Sequence, residues 1–255
     1  MSTRSKYQNG NLHFYDDKYH AEAPTGVWSS CPLAAIAGDP TLAYVYDSNW
    51  ASYEGAEPAT TTMAGYTVTN ATSGYVAFPD SAGGQLALHS DAGTTAYGVQ
   101  VQKISFNFIP AVDKPIWYES SIIVDNIVTE AFVGLSNSDT SIISGGANSS
   151  TDHIGWQVVT GDGVLLFSAE KGGTGTTKAS TTLVANTILR LGFKVSNASA
   201  TTLKIEHWVN DTKQTTSHVN ANVSVAALSP SWVCHGDGTG LAVLKNHYTK
   251  CVQMR

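Results

Sequence analysis

Eight histidines, three cysteines and twenty acidic residues are the groups with which this chain of 255 could do chemistry. The histidines, at 13, 20, 89, 153, 207, 218, 235 and 247, include no His-Glu-x-x-His pair, the spacing that sets two zinc ligands on one helix face. Asp237 lies in the Gly-rich run His235–Gly240 and could ligate calcium, but the other carboxylates of a calcium loop are missing, so an inter-strand loop is expected. Glycoside hydrolysis needs two facing carboxyls. Glu119, Asp125, Glu130, Glu170 and Glu206 are scattered and contain no Glu-x-Asp-x-x-Glu run, so each is read as a solvated strand residue. No Gly-x-Ser-x-Gly elbow, P-loop or dinucleotide fingerprint occurs. Gly172–Gly175 has the glycines of a phosphate loop without the Lys-Ser/Thr that completes one, so it reads as a hairpin tip. No catalytic, metal-binding or cofactor-binding residue is assigned, and the chain is expected not to be an enzyme.

The elements that would carry any site are strands. Positions 189–195 alternate, with Leu189, Leu191, Phe193 and Val195 on one face. In the same way Leu203, Ile205, His207 and Val209 oppose Lys204, Glu206, Trp208 and Asn210. From Ile116 to Asp125 both rows are partly apolar, which predicts a strand covered on two faces. Residues 154–170 read as a hairpin turning at Gly161-Asp162-Gly163, where the chain needs positive φ. No stretch has a helical period. The fold class expected is all-β: a two-sheet antiparallel jelly-roll sandwich over residues 51–255.

Residues 1–50 differ. Together with the stretch up to Pro58 they hold half of the eight prolines and many of the aromatics, and they read as an extended arm with a short hairpin near Gly10-Asn11. This arm packs either on its own sandwich or on a neighbouring subunit. In the second case Tyr7, Phe14, Tyr15, Tyr19 and Trp28 are its interface residues.

Composition narrows the partners. Net charge is −6 and only 13% of residues are charged, so a basic nucleic-acid footprint is excluded. No run of 18 apolar residues predicts a membrane span. The opening residues lack an apolar leader core, so folding in a reducing cytoplasm is expected. The Asn-x-Ser/Thr sequons at Asn70, Asn148, Asn197, Asn210 and Asn222 then follow from composition alone. Cys31, Cys234 and Cys251 suit buried free thiols, with a Cys234–Cys251 bridge as the alternative.

Several segments carry a family resemblance: Val99–Gln102, KPIWYESSIIVD from Lys114 to Asp125, AFVGLSNSDT from Ala131 to Thr140, Asp152–Trp156, Leu189–Val195 and Cys251–Arg255. Together with the opening Lys6–Asp16, they resemble tailed-bacteriophage virion proteins that have a concanavalin A-like (laminin-G-like) jelly-roll domain. The resemblance implies a virion structural protein assembled in the host cytoplasm. Its expected role is head decoration: a cement protein on the outer capsid surface that bridges capsomers. The partners implied are the major capsid protein and further copies of the chain, with no cofactor. The alternative is a carbohydrate- or receptor-binding module of a phage tail or head, with Tyr118, Trp156 and Trp208 as its glycan platform.

Overall fold

Period-2 alternation becomes a strand wherever one face of the chain can be buried, and here two sheets bury each other's inner faces. The structure, a computed structural model, describes residues 3–8, 11–16, 25–32, 38–50, 62–71, 74–79, 84–90, 98–104, 107–126, 130–139, 142–144, 147–148, 152–158, 163–219, 223–236 and 241–255. Every strand pairing is antiparallel.

Strands are numbered in chain order. Sheet I runs β15 (Thr174–Thr182), β14 (Val164–Lys171), β13 (His153–Val158), β10 (Glu130–Ser136), β19 (Ser229–His235), β8 (Gly98–Lys103), β5 (Tyr66–Ala71) and β4 (Thr62–Met63). Sheet II runs β18 (Thr212–Val219), β17 (Leu203–Val209), β16 (Leu189–Asn197), β9 (Ile116–Val124), β20 (Ala242–Met254), β7 (Leu86–Ser90) and β6 (Tyr75–Ala77). The second half of β20 also pairs with β3 (Ala43–Ser48). Two hairpins stand apart from the sheets: β1 (Thr3–Gln8) with β2 (Asn11–Asp16), and β11 (Ile143–Ser144) with β12 (Ala147–Asn148). The first of them is the hairpin expected at Gly10-Asn11. The expected sandwich is the fold.

Alternation is borne out on β16 and β17, where Leu191, Phe193 and Ile205 are fully buried between the sheets. The β13–β14 hairpin also forms, in the register Val158↔Leu165, with its turn outside the described residues. At the next turn Gly172 and Gly173 both have positive φ, which a two-residue hairpin needs and glycine supplies without strain. Cys31, Cys234 and Cys251 are buried free thiols.

β9 is covered on both faces, as its two apolar rows predict. Tyr118 faces the inter-sheet core, while Trp117 faces outward yet is only 3% exposed. Its cover is the 3₁₀ turn Gly26–Ser30, whose Val27 packs with Cys31, Ala43 and Val252 over the outer face of sheet II. Trp28 packs against this cluster in its own chain and keeps part of its surface exposed. Residues 43–50 also depart from the arm reading. β3 belongs to sheet II, and Tyr46 and Trp50 enter the main core. Pro40 precedes this strand and does not interrupt it.

His207 is the polar member of an inward row. It is fully buried, stacks on Phe167 at 4.4 Å and meets Trp156 edge-on at 5.3 Å. Burial, reinforced by the nearby His218, pulls its pKa down to about 4. An unfolded histidine titrates near 6.5. Above that value neither state is protonated and the site costs nothing. Between about pH 6.5 and pH 4 the unfolded chain takes up a proton that the native site refuses, so stability falls by up to about 3 kcal/mol. Urea unfolding across this range should show the loss, and His207→Phe should reduce its slope. Equal slopes in the two proteins would refute it.

Candidate functional site

The outer face of sheet I is polar but occupied. Gln102 Nε2 lies 2.9 Å from each of Ser136 Oγ, Ser231 Oγ and the Asn137 carbonyl, which share its two N–H donors, while its Oε1 accepts the Asp139 N–H. Gln100 does the same one step along: its amide donates to the Asp139 carbonyl, and its Oε1 accepts the Ile142 N–H at 3.0 Å. Two glutamine side chains thus hold the backbone of Asn137, Asp139 and Ile142 against the sheet. Beneath it Phe132, Ile142 and Val233 form a small apolar cluster. Gly134 and Gly155 let the Phe132 ring lie flat, since a Cβ at either would come within about 3.1 Å of it.

The acidic residues read as solvated divide into several environments. Glu130 is fully buried, 3.1 Å from His235, and Glu119 is 7% exposed and accepts the Tyr248 hydroxyl at 2.6 Å. Both correct the sequence reading, because outward-facing positions on the central strands are covered by other segments. Asp237 lies outside the described residues. Asp152 accepts Ser224 Oγ at 2.6 Å, and near it burial and the Asp152 charge raise the Glu170 carboxyl above its ordinary value.

An open cleft of about 470 Å³ lies on the outer face of sheet II. β16 contributes Lys194 and Ser196, β17 contributes Lys204 and Glu206, and the turn before β9 closes one side with Asp113 and Pro115. That turn is locked. Asp113 has φ +62°, its N–H donates to Asn197 Oδ1 at 3.0 Å, and Asn197 Nδ2 donates back to its carboxylate at 2.7 Å. Glu206 accepts hydrogen bonds or ion pairs from Lys213 and, at 3.4 Å, from Lys204. Burial alone would raise the Glu206 carboxyl, but the Lys213 hydrogen bond and the Lys204 charge outweigh it and hold it below its ordinary value. It is therefore an ionised hydrogen-bond acceptor near neutral pH.

Trp208 follows Glu206 on the same face, and the Lys213 ammonium that meets Glu206 also sits 5.7 Å from the Trp208 ring. Of the residues expected to form a glycan platform, Trp208 keeps part of its surface exposed beside this cleft. Tyr118 and Trp156 do not: at 0% and 1% exposure they are inner-face core residues with no surface for a ligand. Tyr7, Phe14 and Tyr15 lie on β1 and β2, their side chains, and all of Tyr19, falling outside the described residues. Sequence reasoning missed Lys194, Asn197 and Asp113. The outward row of β17 was legible, but nothing local says that a turn some 90 residues earlier closes one side of the cleft beside it.

Neither a protein-family model nor a curated protein matches the chain. Solved structures do. An endo-1,3-beta-glucanase from Streptomyces sioyaensis aligns over 82% of this chain and 95% of its own, with TM-score 0.56 and 11% identity. The fold is a concanavalin A-like jelly roll. Lectin II from Ulex europaeus aligns over 82% of this chain and 98% of its own, with TM-score 0.50 and 12% identity. A protein of unknown function from Shewanella oneidensis MR-1 aligns over 84% of this chain and 87% of its own, at TM-score 0.56 and 11% identity. The expectation that the chain is not an enzyme is corrected here. Its fold is also that of a glucanase, so absent motifs do not set the jelly roll apart from enzymes. The same comparisons give no support to a virion or capsid role, to a capsid partner or to assembly with further copies.

Proposed function

We propose that this jelly roll recognises carbohydrate, and that the outer-face cleft of sheet II is its sugar site. The observation that carries this reading is the placement of partly exposed Trp208 beside a row of charged and amide groups, with Lys213 touching both. Sugars present apolar C–H faces that settle on an aromatic ring, and hydroxyls that need rigid donors and acceptors close by. Glu206 supplies ionised acceptor oxygens, while Asn197 and Lys194 supply donors. Their positions are set by strand backbone and the locked 111–115 turn, so little ordering is needed on binding. The lectin among the structural neighbours adds support at the level of fold alone.

The test is binding of the full chain to an array of neutral and charged glycans, followed by titration of the strongest ligand. Trp208→Ala should weaken binding about tenfold, equivalent to roughly 1.4 kcal/mol. Glu206→Gln should weaken it by a similar factor, with the melting temperature checking that each variant stays folded. Absence of binding to any glycan would overturn the reading, as would a folded Trp208→Ala protein that binds as tightly as wild type.

A further inference from the structure

The cations around the cleft are not equivalent. Arg190 pairs with Asp211, Lys250 with Asp47 at 2.8 Å, and both Lys204 and Lys213 with Glu206. Lys194 has no carboxylate within 4 Å among the described residues. Its ammonium donates to Ser30 Oγ at 2.8 Å and lies 5.3 Å from the Trp117 ring. An ammonium has three N–H donors, so Ser30 leaves two of them for the cleft. Burial pulls the Lys194 pKa below its ordinary value; Glu206 opposes this, whereas Lys204 and Lys213 add to it. Both observations describe a partly desolvated cation that its own protein leaves undercompensated.

The cleft walls carry two ammoniums, Lys194 and Lys204, and two carboxylates, Glu206 and Asp113, while a third ammonium, Lys213, reaches Glu206 from β18, so Glu206 is shared between two lysines other than Lys194. Asp113 is itself engaged by the Asn197 amide. A surplus cation kept half out of water is costly unless a ligand anion meets it, and a charge-assisted hydrogen bond there is about twice as strong as a neutral one.

We propose that the sugar taken by this cleft carries an anionic substituent, a carboxylate or a sulfate ester, and that Lys194 holds it. This rests on the carbohydrate reading above and deepens it. Ser196 on the same strand and the second amide hydrogen of Asn197 stand on the same wall to bind the remaining anion oxygens. The Ser30 contact makes the 3₁₀ turn the support of this site: it braces Lys194 over Trp117.

The experiment is isothermal titration of the full chain with hexagalacturonate, with a sulfated galactan hexasaccharide and with the uncharged galactan hexasaccharide. At least one charged ligand should bind about tenfold or more tightly than the neutral one, and which of them does so identifies the carboxylate or the sulfate. Lys194→Gln should abolish that preference, whereas Lys194→Arg should retain most of it. Lys245→Gln removes an equal charge near the far end of β20 and should change nothing. Equal binding of charged and neutral sugars would overturn the anion assignment and leave the carbohydrate reading standing. An equal loss in Lys194→Gln and Lys245→Gln would also overturn it, since the preference would then be long-range attraction. No binding by any of the three, together with an empty glycan array, would overturn both.

Discussion

Phe193→Ala should cost about 3–5 kcal/mol of unfolding free energy in urea. Phe193 lies on β16 between β17 and β9, with no exposed surface. Its ring stacks on Tyr118 of the neighbouring strand at 4.6 Å and 11°, and tilts against Phe167 of the opposite sheet at 5.8 Å. It therefore joins the two sheets as well as two strands of one sheet. Alanine would leave a cavity bounded by rings whose strands are pinned by full ladders, so collapse into the space would be limited. Phe193→Leu keeps most of the volume and should cost about 1–1.5 kcal/mol. A loss below about 1 kcal/mol for alanine would mean that the aromatic layer rearranges to fill the space, and that the strand is not rigidly packed.

What could be read from the sequence follows from the reach of alternation. It is a local signal, and it placed Leu189 to Val195 and Leu203 to Val209 on the inner face without reference to any partner. It also flagged the second apolar row of β9, which is covered on both faces because the 3₁₀ turn lies over Trp117. Alternation contains nothing about strand order. That β20 would pair with β9 on one side and with both β7 and β3 on the other is a property of the whole chain. Mistaking residues 43–50 for an arm came from the same gap, since a strand near prolines looks isolated until its partner near the C-terminus is known. The candidate site was half legible for a related reason. Lys204, Glu206 and Trp208 stood out as one polar row, whereas Lys194 gains meaning only once Ser30 and Trp117 are seen beside it. Tyr118 and Trp156 misled because an aromatic at a strand position looks the same in sequence whether it faces core or solvent.

Asn246→Leu should be comparably damaging, at about 3–5 kcal/mol, although leucine has the same number and branching of heavy atoms. The register of β20 on β9 shifts between Asn246 and Tyr248, so one residue is left over and the ladder is broken locally. The fully buried Asn246 side chain repairs the break from within the core. The two N–H donors of its Nδ2 are shared among Ser120 Oγ at 2.7 Å and the carbonyls of Ser121 and Tyr248 at 3.1 Å. Its Oδ1 accepts the indole N–H of Trp50 at 2.7 Å and the Thr249 hydroxyl at 3.3 Å. Leucine would take the acceptor from the Trp50 indole and one partner each from Ser120, Tyr248 and Thr249, which keep bonds among themselves; a buried group left unpaired costs about 1–3 kcal/mol, and the bulge loses the side chain that bridges it. The Trp50 bond should account for a separable part of the total. Trp50→Phe removes the indole donor, so the double variant Trp50→Phe/Asn246→Leu should lose about 1–3 kcal/mol less than the two single losses added together. Strict additivity in that cycle would show that the amide stabilises the bulge alone. A loss under about 1 kcal/mol for Asn246→Leu would show that water or a shifted register satisfies the same groups.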